Sequence, residues 1–153
     1  MLICKQLDPK AILPTVAHPN EDLAFDVYAL QDVWLYQNMT AKVRTGISAK
    51  YISDKTNMFG EECDEYNYGL MLKDRSSMAS NGITISGGVI DSTYTGEILV
   101  LLTNHNPDGF VIKTGDKIAQ MIPLKVLTGT EIKWVDELPN SKRAEKGFGS
   151  SGR

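Results

Sequence analysis

Cysteine is scarce in this sequence, and that scarcity excludes several kinds of scaffold. The 153-residue chain holds two cysteines, Cys4 and Cys63, far apart and without ligand-like spacing. Neither a disulfide framework nor a cysteine-based zinc site therefore organises the fold. No apolar run approaches membrane-spanning length, and the N-terminus lacks the charged-then-apolar pattern of a secretory signal. A cytoplasmic protein with no membrane partner is the expectation. Positive charge is also in short supply, with 16 Lys and Arg against 19 Asp and Glu and a formal net charge of -3. That balance excludes a broad basic field for nucleic acid, so a polyanionic ligand has to be met by a few local Arg and Lys. Helical periodicity is missing before Asp74, which points to an all-β fold. The length suits one domain that buries its own core without a metal or a staple.

What the chain does contain is a succession of short β-like segments. Residues 2–7 end at Asp8-Pro9, and residues 12–19 are extended because each residue before a proline is pushed out of the helical region. His18 is then a loop residue and receives no role. Residues 22–29 alternate, with Phe25 and Val27 on one side and Asp26 and Tyr28 on the other. Asp26 reads either as a solvent-facing strand acid or as a support near a bound anion. Residues 33–35 form another strand, and residues 42–47 read as one more, with Val43, Thr45 and Ile47 sharing a face. Residues 69–72, 110–112 and 118–124 continue the series, and a turn spans residues 113–116. Residues 132–136 read as a last strand with Ile132 and Trp134 facing the core.

Four stretches carry candidate chemistry. The first is Gly87-Gly88-Val89-Ile90-Asp91-Ser92-Thr93-Tyr94-Thr95-Gly96-Glu97. Glycines at both ends and a polar tip between β-branched residues predict a β-hairpin, and the apolar run of residues 98–102 predicts a strand covered on both faces. Asp91 at that tip suits a general base, which must be held within reach of its proton; it equally suits a residue that only bonds its own turn. The second is Asp74-Arg75-Ser76-Ser77-Met78-Ala79, a strand-to-helix corner. There Ser76 or Ser77 caps the helix and offers a hydroxyl to phosphate, beside the Arg75 fork. The third is Gln120, an amide among apolar neighbours that is either satisfied in the core or offered to a ligand. The fourth is the Gly- and Ser-rich tail of residues 141–153, with Arg143, Phe148, Gly149, Ser150 and Ser151, which reads as a frayed end or as a closing arm.

Together with Ala24-Phe25-Asp26-Val27-Tyr28-Ala29 and Gly115-Asp116-Lys117-Ile118-Ala119-Gln120, these stretches resemble, in order, the five motifs of the trimeric deoxyuridine triphosphatases (dUTPases). Gly88 through Glu97 resembles the third of them. Departures occur at Ala24, Ala144 and Lys146, where the family usually has glycine, and at Val27, where leucine is usual. The resemblance implies a jelly-roll-like β-clip barrel over residues 1–140, with one short helix after Arg-Ser-Ser and a flexible C-terminal lid over residues 141–153. It implies hydrolysis of dUTP to dUMP and pyrophosphate, with water attacking the α-phosphorus and Mg²⁺ held mainly by the triphosphate. Asp91 would activate the water, and Tyr94 would pack under the deoxyribose and exclude a 2′-hydroxyl. Backbone groups of Gly88 and Val89 would read uracil. Arg75, Ser76, Ser77 and Gln120 would hold phosphates, with Asp26 in support. Arg143, Gly149, Ser150 and Ser151 would close over the terminal phosphate, and Phe148 would stack on the base. A homotrimer is part of the same implication.

Two other readings compete. The related dCTP deaminases share the fold and the Arg-Ser-Ser motif but carry a glutamate where Leu101 stands, and an apolar side chain shuttles no proton. A regulatory protein of this fold is the other. Residues 51–67 are longer than the resemblance implies and hold Asp54, Glu61, Glu62, Asp64 and Glu65 with Tyr51, Phe59 and Tyr66. That insertion reads as a solvated loop or a docking element for a protein partner, and less readily as a metal site.

Overall fold

The computed structural model describes residues 1–52, 67–126, 131–137 and 139. The acidic part of the insertion and the C-terminal arm lie outside these residues. In chain order the strands are β1 (Leu2–Gln6), β2 (Phe25–Tyr28), β3 (Val33–Leu35), β4 (Thr40–Arg44), β5 (Ile47–Tyr51) and β6 (Asn67–Lys73). The helix α1 (Ser76–Ser80) follows, then β7 (Ile83–Ile85), β8 (Val89–Ile90), β9 (Leu99–Asn104), β10 (Phe110–Ile112) and β11 (Lys117–Val126). Every ladder among them is antiparallel. The result is an all-β, jelly-roll-like barrel with one short helix.

Two sheets carry most of the architecture, one in the order β2-β11-β6-β8 and the other β4-β9-β7; β1-β5 and β10-β3 form two-stranded pairs beside them. Period-2 alternation explains the core, since Val43 pairs with Val100 across β4 and β9 and both are fully buried. Leu35, Ile83, Ile112 and Met121 close the same cluster. The buried amide of Asn104 is satisfied, donating to Leu35 O and Asp108 O at 3.0 Å each. No helix among the described residues is long and apolar enough to cross a membrane.

Four expectations change. The single strand read over residues 42–47 is broken between β4 and β5, where Gly46 has φ +70 and a Cβ would sit 2.8 Å from Ala11 Cβ. The two arms of the expected hairpin do not pair with each other. β8 joins β6, while β9 lies between β4 and β7, so the turn at Asp91 carries the chain from one sheet to the other. The run of residues 98–102 is not covered on both faces, since Val100 and Leu102 are fully buried but Leu99 is 39% exposed. Finally, residues 131–137 form no strand, and Ile132 and Trp134 are exposed rather than core-facing. A strand pattern is local, whereas a strand needs a partner to pair with.

Candidate active site

The turn between β8 and β9 forms one wall of a cleft of about 190 Å³ lined by Val89, Ile90, Asp91, Tyr94, Glu97, Ile98 and Leu99. Its backbone is closed by the Asp91 carbonyl, which accepts from Tyr94 N–H at 3.0 Å. The turn is thus held by main chain, and the exposed Asp91 carboxylate has no side-chain partner among the described residues. A carboxylate fixed at its Cα and free at its oxygens has the form that proton abstraction from a bound water demands. Gly88 (φ +133) lets the backbone run against β6, where a Cβ would lie 2.7 Å from Leu72 O, and its carbonyl accepts from Leu72 N–H at 2.8 Å. Tyr94 donates its hydroxyl to Glu97 O at 2.9 Å, so its ring lies over Gly96 at the cleft wall.

A second group gathers across β2, β11 and the end of β6 in the same sheet. Asp26 is only 8% exposed, which corrects the solvent-facing reading. It is held between two cations, with Arg75 Nε at 2.9 Å on Oδ1 and Lys117 Nζ at 2.8 Å on Oδ2. The bond to Asp26 raises the Lys117 pKa above its ordinary value. Arg75 also donates to Lys117 O at 3.2 Å and to Ser77 Oγ at 3.3 Å, which fixes its fork against the start of α1. The helix cap differs from expectation. Arg75 itself is the N-cap and makes no side-chain cap bond, so Ser76 and Ser77 fall inside the first turn with both hydroxyls exposed. Gln120 is half-buried in β11, opposite Asp26 on one side and Lys73 on the other. Residues facing each other across a ladder share a face, so Asp26, Gln120 and Lys73 make one polar row beside α1.

Arg75, Ser77, Asp26 and Gln120 therefore come together, as do Val89, Asp91 and Tyr94; the first group sits on β2, on β11 and just after β6, the second on and after β8, the neighbour of β6. Arg143, Phe148, Gly149, Ser150 and Ser151 lie outside the described residues.

A chain built this way has clear relatives. The dUTPase family model matches residues 10–152. The deoxyuridine 5′-triphosphate nucleotidohydrolase of Clostridium kluyveri is 37% identical over 99% of this chain and 97% of its own length. That of Saccharomyces cerevisiae is 36% identical over 84% and 79%. This chain belongs to the dUTPase family. A solved structure of the Staphylococcus bacteriophage 80alpha dUTPase with dUPNHPP superimposes with a TM-score of 0.83 at 25% identity, covering 100% of this chain and 99% of that one.

Within this dUTPase two residues in the motifs receive no role from the sequence. Lys117 is the second cation on Asp26, and its only signal is a position next to the β11 apolar run. Glu97 is the other. Its carboxylate accepts from Gly46 N–H at 2.8 Å and pairs with Arg44 Nε at 3.1 Å, and both partners are remote in sequence. Among the described residues no three His, Cys, Asp or Glu side chains converge as a metal site. The cleft instead presents one unengaged carboxylate, Asp91. That donor set fits a hard ion such as Mg²⁺, which keeps several waters and takes its remaining oxygens from substrate phosphates.

Proposed function

We propose that the protein hydrolyses dUTP to dUMP and pyrophosphate by attack of water on the α-phosphorus. The observation that carries this reading is the cleft itself, in which an unengaged carboxylate and an anchored tyrosine ring sit on one turn. Asp91 orients the attacking water and takes its proton at a carboxylate oxygen, a role worth roughly 10²- to 10⁴-fold in rate. Tyr94 is the platform for the deoxyribose, and its ring leaves no room for a 2′-hydroxyl. Backbone groups at Gly88 and Val89 select uracil. Arg75, Ser76, Ser77 and Gln120 hold phosphate oxygens, and Asp26 keeps the Arg75 fork aimed. Arg143, Gly149, Ser150 and Ser151 close on the terminal phosphate while Phe148 stacks on the base. Mg²⁺, held mainly by the triphosphate, would neutralise phosphate charge. Reaction of this kind rests on positioning and charge more than on covalent help.

The working unit we propose is a homotrimer. Two features support it. The cleft of about 190 Å³ is smaller than the roughly 300–1,000 Å³ of a typical small-molecule site. Ile132, Trp134 and Val135 are exposed on a segment that alternates like a strand but has no partner. Subunits that contribute to one another's sites account for both.

The test is a substrate panel with pyrophosphate release as readout. Turnover of dUTP should far exceed that of dCTP, dTTP and UTP and should require Mg²⁺, and Asp91→Asn should bind dUTP but hardly turn it over. Deamination of dCTP, or Asp91→Asn retaining the wild-type rate, would refute the assignment.

A further inference from the structure

The Glu97 carboxylate is one of the groups that fasten the turn carrying Asp91 and Tyr94 to the bend between β4 and β5. Its Oε1 accepts from Gly46 N–H at 2.8 Å, and both carboxylate oxygens face Arg44 Nε, at 3.2 and 3.1 Å. The backbone carbonyl of the same residue accepts the Tyr94 hydroxyl at 2.9 Å. Gly46 is a demanding partner. Its φ of +70 and the 2.8 Å approach of Ala11 Cβ exclude a side chain, and its carbonyl is taken by Leu7 N–H at 2.8 Å. Without the Glu97 carboxylate, the Gly46 N–H loses its acceptor in a part-buried place, the costly way to break a hydrogen bond.

Neighbouring bonds hold the backbone on either side of Glu97 but leave its carboxylate and the Tyr94 side chain alone. Thr45 Oγ1 donates to Ile98 O at 2.6 Å, Ser48 Oγ to Thr95 O at 2.9 Å, and Ile98 N–H to Ile47 O at 2.8 Å. The ring of Tyr94 is 45% exposed, so packing does not pin it from outside. Its fixed points are the Glu97 carbonyl and Gly96, where a Cβ would lie 2.5 Å from the Tyr94 hydroxyl oxygen.

We propose that Glu97 is a positioning residue for sugar selection. By accepting the Gly46 N–H it adds to the Ile98 N–H bond in holding the carbonyl on which the Tyr94 hydroxyl is anchored, and so sets how firmly the ring blocks a 2′-hydroxyl. This rests on the reading of Tyr94 as the deoxyribose platform. The ion pair with Arg44 is the lesser part, because Arg44 is largely solvated and exposed pairs contribute little. What matters is an acceptor at Oε1, which glutamine also supplies.

The experiment measures kcat and KM for dUTP and UTP, with melting curves, in wild type, Glu97→Ala, Glu97→Gln, Tyr94→Phe and the Glu97→Ala/Tyr94→Phe double variant. The kcat/KM preference for dUTP over UTP should drop roughly 2- to 10-fold in Glu97→Ala, the worth of one hydrogen bond. Tyr94→Phe, which keeps the ring and loses only its anchor, should drop equally, and the double variant no further. Glu97→Gln should keep the wild-type preference. A merely structural Glu97 would lower melting and slow both nucleotides alike, leaving the preference unchanged, and that result overturns the proposal. So does Tyr94→Phe with an unchanged preference, a variant whose fold does not depend on the carboxylate. If wild type hydrolyses dUTP and UTP equally, the platform reading of Tyr94 fails first and the role of Glu97 falls with it.

Discussion

Asp26→Asn tests whether one buried carboxylate holds both cations at the phosphate edge. The change is nearly isosteric and leaves the backbone bonds between Asp26 and Thr15 in place. Chemically it is severe, because one carboxylate against two cations becomes two cations with a single remaining acceptor oxygen. Either Arg75 or Lys117 then loses its partner. A hydrogen bond to a charged group is worth about 1.5–3 kcal/mol, and with the two cation side chains 26% and 39% exposed, water compensates part of it. A loss of about 1–2 kcal/mol is expected. For a chain of this length that is a fall in melting temperature of about 2–8 °C, measured by calorimetry at fixed protein concentration. The second readout is titration with dUPNHPP and with dUMP. Arg75 freed at Nε should weaken the triphosphate analogue roughly 3- to 10-fold, while dUMP binding hardly changes. Melting within about 1 °C of wild type would show that Asp26 is not the shared anchor. Equal weakening of both ligands would show that it acts on the whole site instead of on the phosphates.

Three further outcomes are expected. Asp32 accepts from Thr114 N–H and from the Lys113 and Thr114 side chains, which hold its pKa at about 2, below the ordinary 3.8. A depressed carboxylate contributes stability above the unfolded pKa that is lost as pH falls through the folded one, so urea midpoints taken between pH 4 and pH 2 should fall more steeply for wild type than for Asp32→Asn; parallel curves would refute the linkage. Light scattering of the intact chain should give three times the chain mass, and a fully active monomer would remove the shared-site architecture. Removal of residues 147–153 should leave melting nearly unchanged but lower turnover at least about 10²-fold, and a truncated protein with the wild-type rate would make that segment a plain terminus.

The fold class was legible because alternation and turn chemistry are local properties, and most strands lie where those patterns place them. What escaped was non-local or chiral. Val43, Thr45 and Ile47 keep their period through a bend that depends on one positive φ at Gly46, and alternation carries no sign of it. Asp26 was left between a solvent-facing acid and a support because a strand carboxylate gives no hint of a cation 49 residues away in Arg75. Residues 87–97 were correctly read as a turn but not as a crossing between sheets, since pairing choice depends on which edge is free. At the site, Asp91, Arg75, Ser76 and Ser77 stood out from local chemistry, and the resemblance supplied their roles. Glu97 was not, because its function lies in the acceptor it offers to Gly46 and the carbonyl it offers to Tyr94.

One face of the β2-β11-β6-β8 sheet joins these threads. Ladder partners place Val89, Met71 and Ile122 in one row and Lys73, Gln120 and Asp26 in the next. The first row is apolar, with Val89 exposed and Met71 and Ile122 half-buried; the second is polar and partly neutralised by Arg75 and Lys117. Strands with one face on the core and the other in water show polar outward residues, and this sheet does so only along its phosphate edge. The apolar row leads to Ile90 and then to Asp91 at the turn. A second subunit packed along that row would bury its side chains and exclude water beside Asp91, where a lower dielectric strengthens every charge interaction. The same surface would then serve assembly and catalysis.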